Sequence, residues 1–430
     1  MLLSITSAKA GLKTQVKATA FRLFSSHSPL GAKKVVADSE PVMLGRPSNN
    51  LKGGIVGLAN VGKSTFFQAI TQSTLGNPAN YPFATIDPEE SKVIVPSPRF
   101  DKLVDVYKPQ KTLPATLTIF DIAGLTRGAS KGEGLGNAFL SHIRAVDGLF
   151  QVVRAFDGQE IVHIEGSVDP VRDLQIISEE LRFKDFEFVM KHMELVEKKA
   201  RSQVKSKSVK DELATGNKVL ELLDSERRVF NGEWTNNEVE IINSMALLTA
   251  KPSVYIANVS EDAYVDYVLS GYSIEGNQRL KDIQKWIDEN SPGDALLPVS
   301  VSLEERLNQM ETEEERLEEL ELLEVPSALP GAIVQLRKSL NLISYYTCGP
   351  VEVREWTIRK GVKAPGAAAV IHNDLAKTFI QAQVSKFEDV VAAEGKDTVL
   401  KAEGKVLQKG KDYVVEDGDV IYFKSGAGKR

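Results

Sequence analysis

Gly57-Leu58-Ala59-Asn60-Val61-Gly62-Lys63-Ser64 follows directly on the apolar stretch Gly54-Ile55-Val56, and this junction decides the fold. A glycine-bearing turn between a buried strand and a helix start is the pattern of a phosphate-binding loop. Successive loop N–H groups form an anion-binding concavity, and the positive end of the following helix adds to it. In that arrangement Lys63 supplies a cation to the β- and γ-phosphates, and Ser64 offers a hydroxyl to Mg²⁺. Asn60, Val61, Gly62, Lys63, Ser64 and Thr65 are therefore the expected phosphate-binding set, with Mg²⁺ as cofactor and ATP or GTP as substrate.

Working outward, short apolar runs fit further strands. Ala115–Phe120 ends at Asp121, Gly148–Arg154 ends on a cation, and Ser253–Ala257 stops immediately before Asn258. Alternation of such runs with helical segments predicts an α/β fold, a mostly parallel sheet with ligand residues beyond the strand C-termini. Asp121-Ile122-Ala123-Gly124 then stands where a γ-phosphate sensor belongs. Asp121 reaches the Mg²⁺ shell through water, and the Gly124 N–H contacts the terminal phosphate. Between the two motifs lies Tyr81-Pro82-Phe83-Ala84-Thr85-Ile86. Thr85 is the candidate switch hydroxyl completing Mg²⁺ coordination; Thr112 and Thr116 are alternatives by spacing. The expected catalytic set is Lys63, Thr85 and Gly124, and the expected metal set is Ser64, Thr85 and Asp121.

On the base side, Asn258-Val259-Ser260-Glu261 occupies the strand end where guanine-selective proteins usually carry Asn-Lys-x-Asp. The usual Asp accepts from guanine N1–H and the N2 amino group. The longer Glu261 places its carboxylate elsewhere, and Val259 removes the bracing lysine. Weakened guanine selection is the expectation, with adenine admitted; a strand-end turn that never meets the base is the alternative. Ser300-Val301, after Leu297-Pro298-Val299, is a further base-side loop.

The 430-residue chain is long enough for two or three domains. Its apolar fraction of 42% and charged fraction of 26% are those of an ordinary globular protein. A net charge of −6 argues against a globally basic nucleic-acid binder. Cys348 is the only cysteine, which excludes an intramolecular disulfide and a multi-thiolate metal cluster. His142 and His372 read as structural residues, since no Ser/His/Asp constellation or zinc spacing accompanies them. No apolar run reaches the length of a membrane span. The sequence sets no oligomeric state, and a monomer is the working expectation.

From Met1 to Ala37 the chain carries Lys9, Lys13, Lys17, Arg22, Lys33 and Lys34 but no acid. Residues 1–45 thus read as a mitochondrial transit peptide directing the protein to the matrix, with a disordered cytoplasmic extension as the alternative. Residues 51–330 form the nucleotide-binding domain. It is interrupted at 178–248 by a helical hairpin, marked by Phe183, Phe186, Met190, Met193, Val196, Val219, Leu220 and Leu223 at helical spacing. The basic stretch Lys198–Lys210 at its tip suits RNA phosphate or a solvated helix surface. Residues 341–424 form a small mixed, β-grasp-like module. It contains Ser344–Cys348, Val351–Ile358, a short helix over Asp374–Ile380, and a terminal stretch Asp412–Phe423 with a turn at Glu416-Asp417-Gly418-Asp419.

These motifs together carry a family resemblance. The chain resembles the YchF-type Obg-like ATPases, a branch of the Obg-related P-loop nucleotidases, from about Gly53 to Phe423. Its carriers are Gly57–Thr65, Asn80–Ile86, Asp121–Leu125 with Gly132-Glu133-Gly134-Leu135-Gly136-Asn137, Asn341–Ser344, Lys363-Ala364-Pro365 with Ile371–Asp374, and Gly410–Asp419. The resemblance implies an ATPase that also uses GTP, a C-terminal TGS domain, and a ribosome-, ribosomal-RNA- or stress-related role. It also implies that Leu125 replaces the water-orienting glutamine of related GTPases. Ala59 stands where the family usually has Pro, and Ser300-Val301-Ser302 departs modestly from its base loop. Two other readings remain: a GTP-selective ribosome-associated switch, and a largely non-hydrolytic RNA- or ribosome-binding protein with nucleotide as structural ligand.

Overall fold

A computed structural model describes residues 42–75, 90–122, 141–157, 166–202 and 206–426, with the side chains of 73–75 excepted. Of the expected extension over 1–45, residues 1–41 lie outside them, as do Thr85, Gly124 and Leu125 and the stretches 80–86 and 132–137. The chain divides into two compact units. The described parts of the first are 42–46, 52–75, 90–91, 119–122, 141–157, 166–202 and 206–336; those of the second are 47–51, 92–118 and 337–426.

One six-stranded sheet has the order β2-β4-β1-β5-β6-β7. These strands are β1 (Lys52–Val56), β2 (Glu90–Ile94), β4 (Thr116–Asp121), β5 (Gly148–Arg154), β6 (Ser253–Asn258) and β7 (Ala295–Val299). β1, β5, β6 and β7 lie wholly in the first unit, and β2 and β4 fall partly within 92–118. β1 runs parallel to β5, β5 to β6 and β6 to β7. All of β5 and β6 is buried, as near-continuous apolar strands covered on both faces must be. Helix α1 (Lys63–Leu75) leaves the loop after β1. It is held to β5 by Phe66, whose ring meets Phe150 edge-on at 5.5 Å, both rings fully buried. Burial of such a side chain contributes about 1.5–3 kcal/mol.

The helical insertion consists of α3 (Pro170–Ser202) and α4 (Lys207–Asp224), followed by α5 (Asn236–Met245). Val189, Met193, Val219 and Leu223 pack with Val229, Ile242 and Met245. Gly216 makes the close approach possible, because a Cβ there would lie 2.0 Å from the Met193 sulfur. At the base of the hairpin the buried Asp185 carboxylate accepts from the N–H groups of Leu248 and Thr249 and from the Thr249 hydroxyl, at 2.7–2.9 Å. Those three bonds satisfy a charge that would otherwise be costly to bury. Lys198, Lys199, Arg201, Lys207 and Lys210 flank the hairpin's turn.

The second unit takes in a stretch, 92–118, that the sequence reading leaves inside the nucleotide-binding domain. Within it, α2 (Pro98–Tyr107) begins at the cap residue Ser97, whose hydroxyl accepts from Phe100 N–H. It leads to β3 (Lys111–Leu113), a strand parallel to β9. The unit's sheet has the order β11-β10-β12-β8-β9-β3. Its remaining strands are β8 (Leu342–Cys348), β9 (Glu352–Arg359), β10 (Phe379–Ser385), β11 (Leu407–Lys409) and β12 (Asp419–Ser425). One core joins Tyr345, Trp356, Phe379 and Phe423 to Ala364, Ala367 and Ala368. A second sets Phe100 and Leu103 of α2 against Tyr346, Val353, Val390 and Leu400. The helix expected over Asp374–Ile380 is shorter: it spans Asn373–Lys377, and Phe379 already belongs to β10. The β-branched and aromatic pair Phe379-Ile380 suits a strand better than a helix end. His372 caps that helix through its ring, which accepts from Asp374 N–H at 3.2 Å.

Candidate active site

The loop between β1 and α1 brings backbone and cation together. Gly57 and Gly62 are required by geometry. A Cβ on Gly57 would lie 2.5 Å from the Val152 carbonyl oxygen, and Gly62 has φ +98° with its absent Cβ 2.5 Å from the Asn258 amide. Asn60 adopts a left-handed conformation, φ 62°, which Asn tolerates better than most residues. Val61 is buried, Thr65 half-buried and Ser64 exposed in the first turn of α1. Phe66 N–H donates to Gly62 C=O at 2.9 Å and closes that turn.

Lys63 is buried, and its Nζ donates to the Leu58 carbonyl at 2.6 Å. Burial lowers its pKa to about 8, and the nearby Asp121 carboxylate partly opposes the fall. A desolvated ammonium beside a carboxylate is primed to gain from an incoming polyanion. Asp121 is the last residue of β4, and the adjoining Ile122 N–H donates to Ile55 C=O at 3.2 Å. The sheet thus delivers Asp121 beside the loop. Of the alternatives to Thr85, Thr112 lies in β3 of the second unit and Thr116 at the start of β4.

Asn258 is the structural hinge between loop and base side. Its Nδ2 donates to Val61 C=O at 3.0 Å, and its Oδ1 accepts from Val301 N–H at 3.2 Å. Val259 is buried, and its N–H donates to Val299 C=O. Ser260 caps helix α6 (Glu261–Leu269); after α7 (Gln278–Asn290), Ser300 caps helix α8 (Val301–Asn308). Asn308, at the far end of α8, donates to Ala69 C=O of α1 at 2.9 Å. Glu261 does not stand alone: its carboxylate accepts from Arg306 at 2.9 Å, and Arg306 also donates to Glu319 of α9 (Glu313–Leu323) at 2.5 Å. Sequence reasoning missed Arg306 and Glu319. No local motif marks them, and only the register of α8 against α6 and α9 brings them to Glu261.

His142 is exposed in the helical turn 141–145. Among the described residues no helix is long and apolar enough to cross a membrane.

A strand, a glycine-dependent loop, a buried lysine and a helix N-terminus, with an aspartate delivered from the neighbouring strand, define a P-loop nucleotide-hydrolysing protein. A protein-family model described as a 50S ribosome-binding GTPase matches residues 52–191, and a model of the YchF-GTPase C-terminal region, described as of unknown function, matches 342–426. Obg-like ATPase 1 of Saccharomyces cerevisiae is 60% identical over 400 residues, covering 92% of this chain and 99% of that protein. Obg-like ATPase 1 of Bos taurus is 47% identical over 386 residues, covering 89% and 94%. The solved structure of the Schizosaccharomyces pombe YchF GTPase superposes with a TM-score of 0.80 at 55% identity, covering 89% of this chain and all of that one. The chain belongs to the YchF/Obg-like ATPase family, and it is an enzyme that hydrolyses nucleoside triphosphates.

Proposed function

We propose that the protein is a Mg²⁺-dependent ATPase that also admits GTP and works in translation, in contact with the ribosome or its RNA. The observation carrying this reading is the lock formed by Asn258 between the phosphate loop and the base-side helices, with buried Lys63 inside it. The oxygen donors at the loop, the Ser64 hydroxyl and the Asp121 carboxylate, suit a hard cation such as Mg²⁺. When bound, the ion supplies positive charge to the phosphate oxygens. Lys63 and the loop amides hold the γ-phosphoryl group and stabilise charge that develops as water attacks it. Thr85 joins the metal set, and Gly124 couples phosphate loss to movement of the segment that follows. With Leu125 in place of a water-orienting glutamine, turnover without a partner is slow.

The printed descriptions of the matched P-loop model and of the solved relative speak of GTPases, and they favour a second reading, a GTP-selective ribosome-associated switch. The curated relatives are named ATPases. Phosphate release from ATP and GTP, measured with and without purified ribosomes, separates the readings. Release from both nucleotides, accelerated by ribosomes and abolished by Lys63→Ala, is expected. Release from GTP alone establishes the switch, and binding without release on ribosomes makes nucleotide a structural ligand. We assign the C-terminal module, 341–424, to the TGS domain type, and matrix targeting to residues 1–45; a fluorescent protein carrying those residues is expected to enter mitochondria, and diffuse cytoplasmic fluorescence rejects the targeting.

A further inference from the structure

We propose that Arg306 sets the base preference of this site by holding the Glu261 carboxylate out of reach of the guanine edge. The inference rests on the nucleotide reading above and adds to it a residue that acts through another.

Glu261 is the first residue of α6, three positions after Asn258, whose amide is tied to the phosphate loop. That position places its carboxylate at the base side of the site. Guanine presents two donors on one edge, N1–H and the N2 amino group, and a carboxylate can accept from both. Adenine has no proton at N1 and no amino group at C2, so the same carboxylate gains nothing from it. A Glu261 carboxylate released from its partner would have only guanine to accept from, so whatever guanine selection its added length leaves would return.

In the structure it is not released. Oε2 accepts from Arg306 Nη2 at 2.9 Å, and the other terminal nitrogen of the same guanidinium donates to Glu319 Oε1. Each branch of the fork thus has its own carboxylate, one from α6 and one from α9, while the stem comes from α8. The anchoring at Glu319 matters because a fork bonded on both sides resists being drawn with Glu261 toward a base. The guanidinium has donors only, so it meets the guanine donors with nothing to offer and partly cancels the charge that would attract them. Adenine loses nothing by this arrangement. Arg306 is 39% exposed, so its replacement leaves the apolar core untouched.

The test is equilibrium binding of ATP and GTP, with Mg²⁺ present, to the full chain and to Arg306→Ala, Arg306→Lys, Arg306→Ala with Glu261→Gln, and Lys63→Ala. Arg306→Ala is expected to move the GTP-to-ATP affinity ratio toward GTP by about tenfold, through tighter GTP binding. Arg306→Lys keeps a cation beside Glu261 and stays near the parent ratio. Glu261→Gln in the Arg306→Ala background returns the ratio to the parent value, because the accepting charge is gone. Arg306→Gln, which keeps the first part of the stem and a polar end without the charge, repeats the measurement if the alanine variant melts early. An unchanged ratio in a folded Arg306→Ala or Arg306→Gln variant overturns the proposal, and so does a shift that survives Glu261→Gln. If the parent protein binds neither nucleotide, or Lys63→Ala binds both as well as the parent, the nucleotide reading itself fails.

Discussion

At the phosphate end of the site Gly57, Gly62, Lys63 and Ser64 come from one continuous loop, while at the base end Asn258, Glu261, Ser300, Arg306 and Glu319 come from three separate stretches. The phosphate end works through backbone: a φ of +98° at Gly62, no room for a Cβ at Gly57, and a buried lysine bonded to its own loop. The base end works through side chains that helices bring to one another, with Asn258 joining the ends. A phosphate is the same in every nucleotide and is held by a fixed arrangement of N–H groups. A base has to be told from another base, and that difference is carried by a few donors and acceptors. Damage to the first end should therefore remove all binding, and damage to the second should mainly change which nucleotide is bound.

The largest effect is expected from Gly57→Val, which breaks the phosphate end. Its branched side chain meets the Val152 carbonyl oxygen and displaces the loop. ATP and GTP affinity should both fall by about 100-fold, the factor that roughly 2.7 kcal/mol represents. Titration calorimetry with each nucleotide checks this; loss of only one would show that the loop also reads the base.

Asn258→Ala cuts the tie between the ends and strands the Val61 carbonyl and the Val301 N–H, each at a cost of about 1–3 kcal/mol. A lower melting temperature should accompany roughly tenfold weaker binding of both nucleotides. A variant that melts normally and loses only one nucleotide would turn Asn258 from a tie into a base-reading group.

A pH series sharpens the comparison at Lys63, whose pKa is lowered to about 8 by burial. Bound phosphate favours the protonated form, so affinity should decline as pH rises through about 8. Lys63→Arg stays protonated and should show no such decline. Equal slopes for the two proteins would place the titrating group elsewhere.

The remaining effect is on stability, away from both ends, and belongs to Glu304 of α8, buried and bonded to Ser327 and the Ala328 N–H. Burial raises its pKa from 4.5 to about 7. The folded state therefore binds this proton more tightly than the unfolded state. The contribution is full below about pH 4.5 and is lost as pH rises through about 7. Compared with Glu304→Gln, the parent protein should lose about 2.5 kcal/mol of stability between pH 5 and 8. Urea unfolding at the two pH values measures the difference, and parallel behaviour would show that Glu304 does not change its charge there.

The same contrast explains what the sequence made legible. β1, β4, β5 and β6 could be located because buried parallel strands are apolar runs that end at polar residues, and the loop because its spacing is local. Asn258 stood out because it ends such a strand. Arg306 and Glu319 lie in helices whose charged residues look like any solvated face, and nothing short of the packing of α6, α8 and α9 pairs them with Glu261. That 92–118 packs with the C-terminal module was not legible for a related reason. Ser97-Pro98 marks a helix start, but it cannot say that Phe100 and Leu103 will bury themselves against Tyr346 and Val353.

The phosphate end is expected to serve both nucleotides alike. Release of phosphate from ATP and from GTP, measured side by side for the parent protein and Lys63→Ala, tests it most directly. Loss of both activities together is the predicted result; survival of either in Lys63→Ala would contradict it.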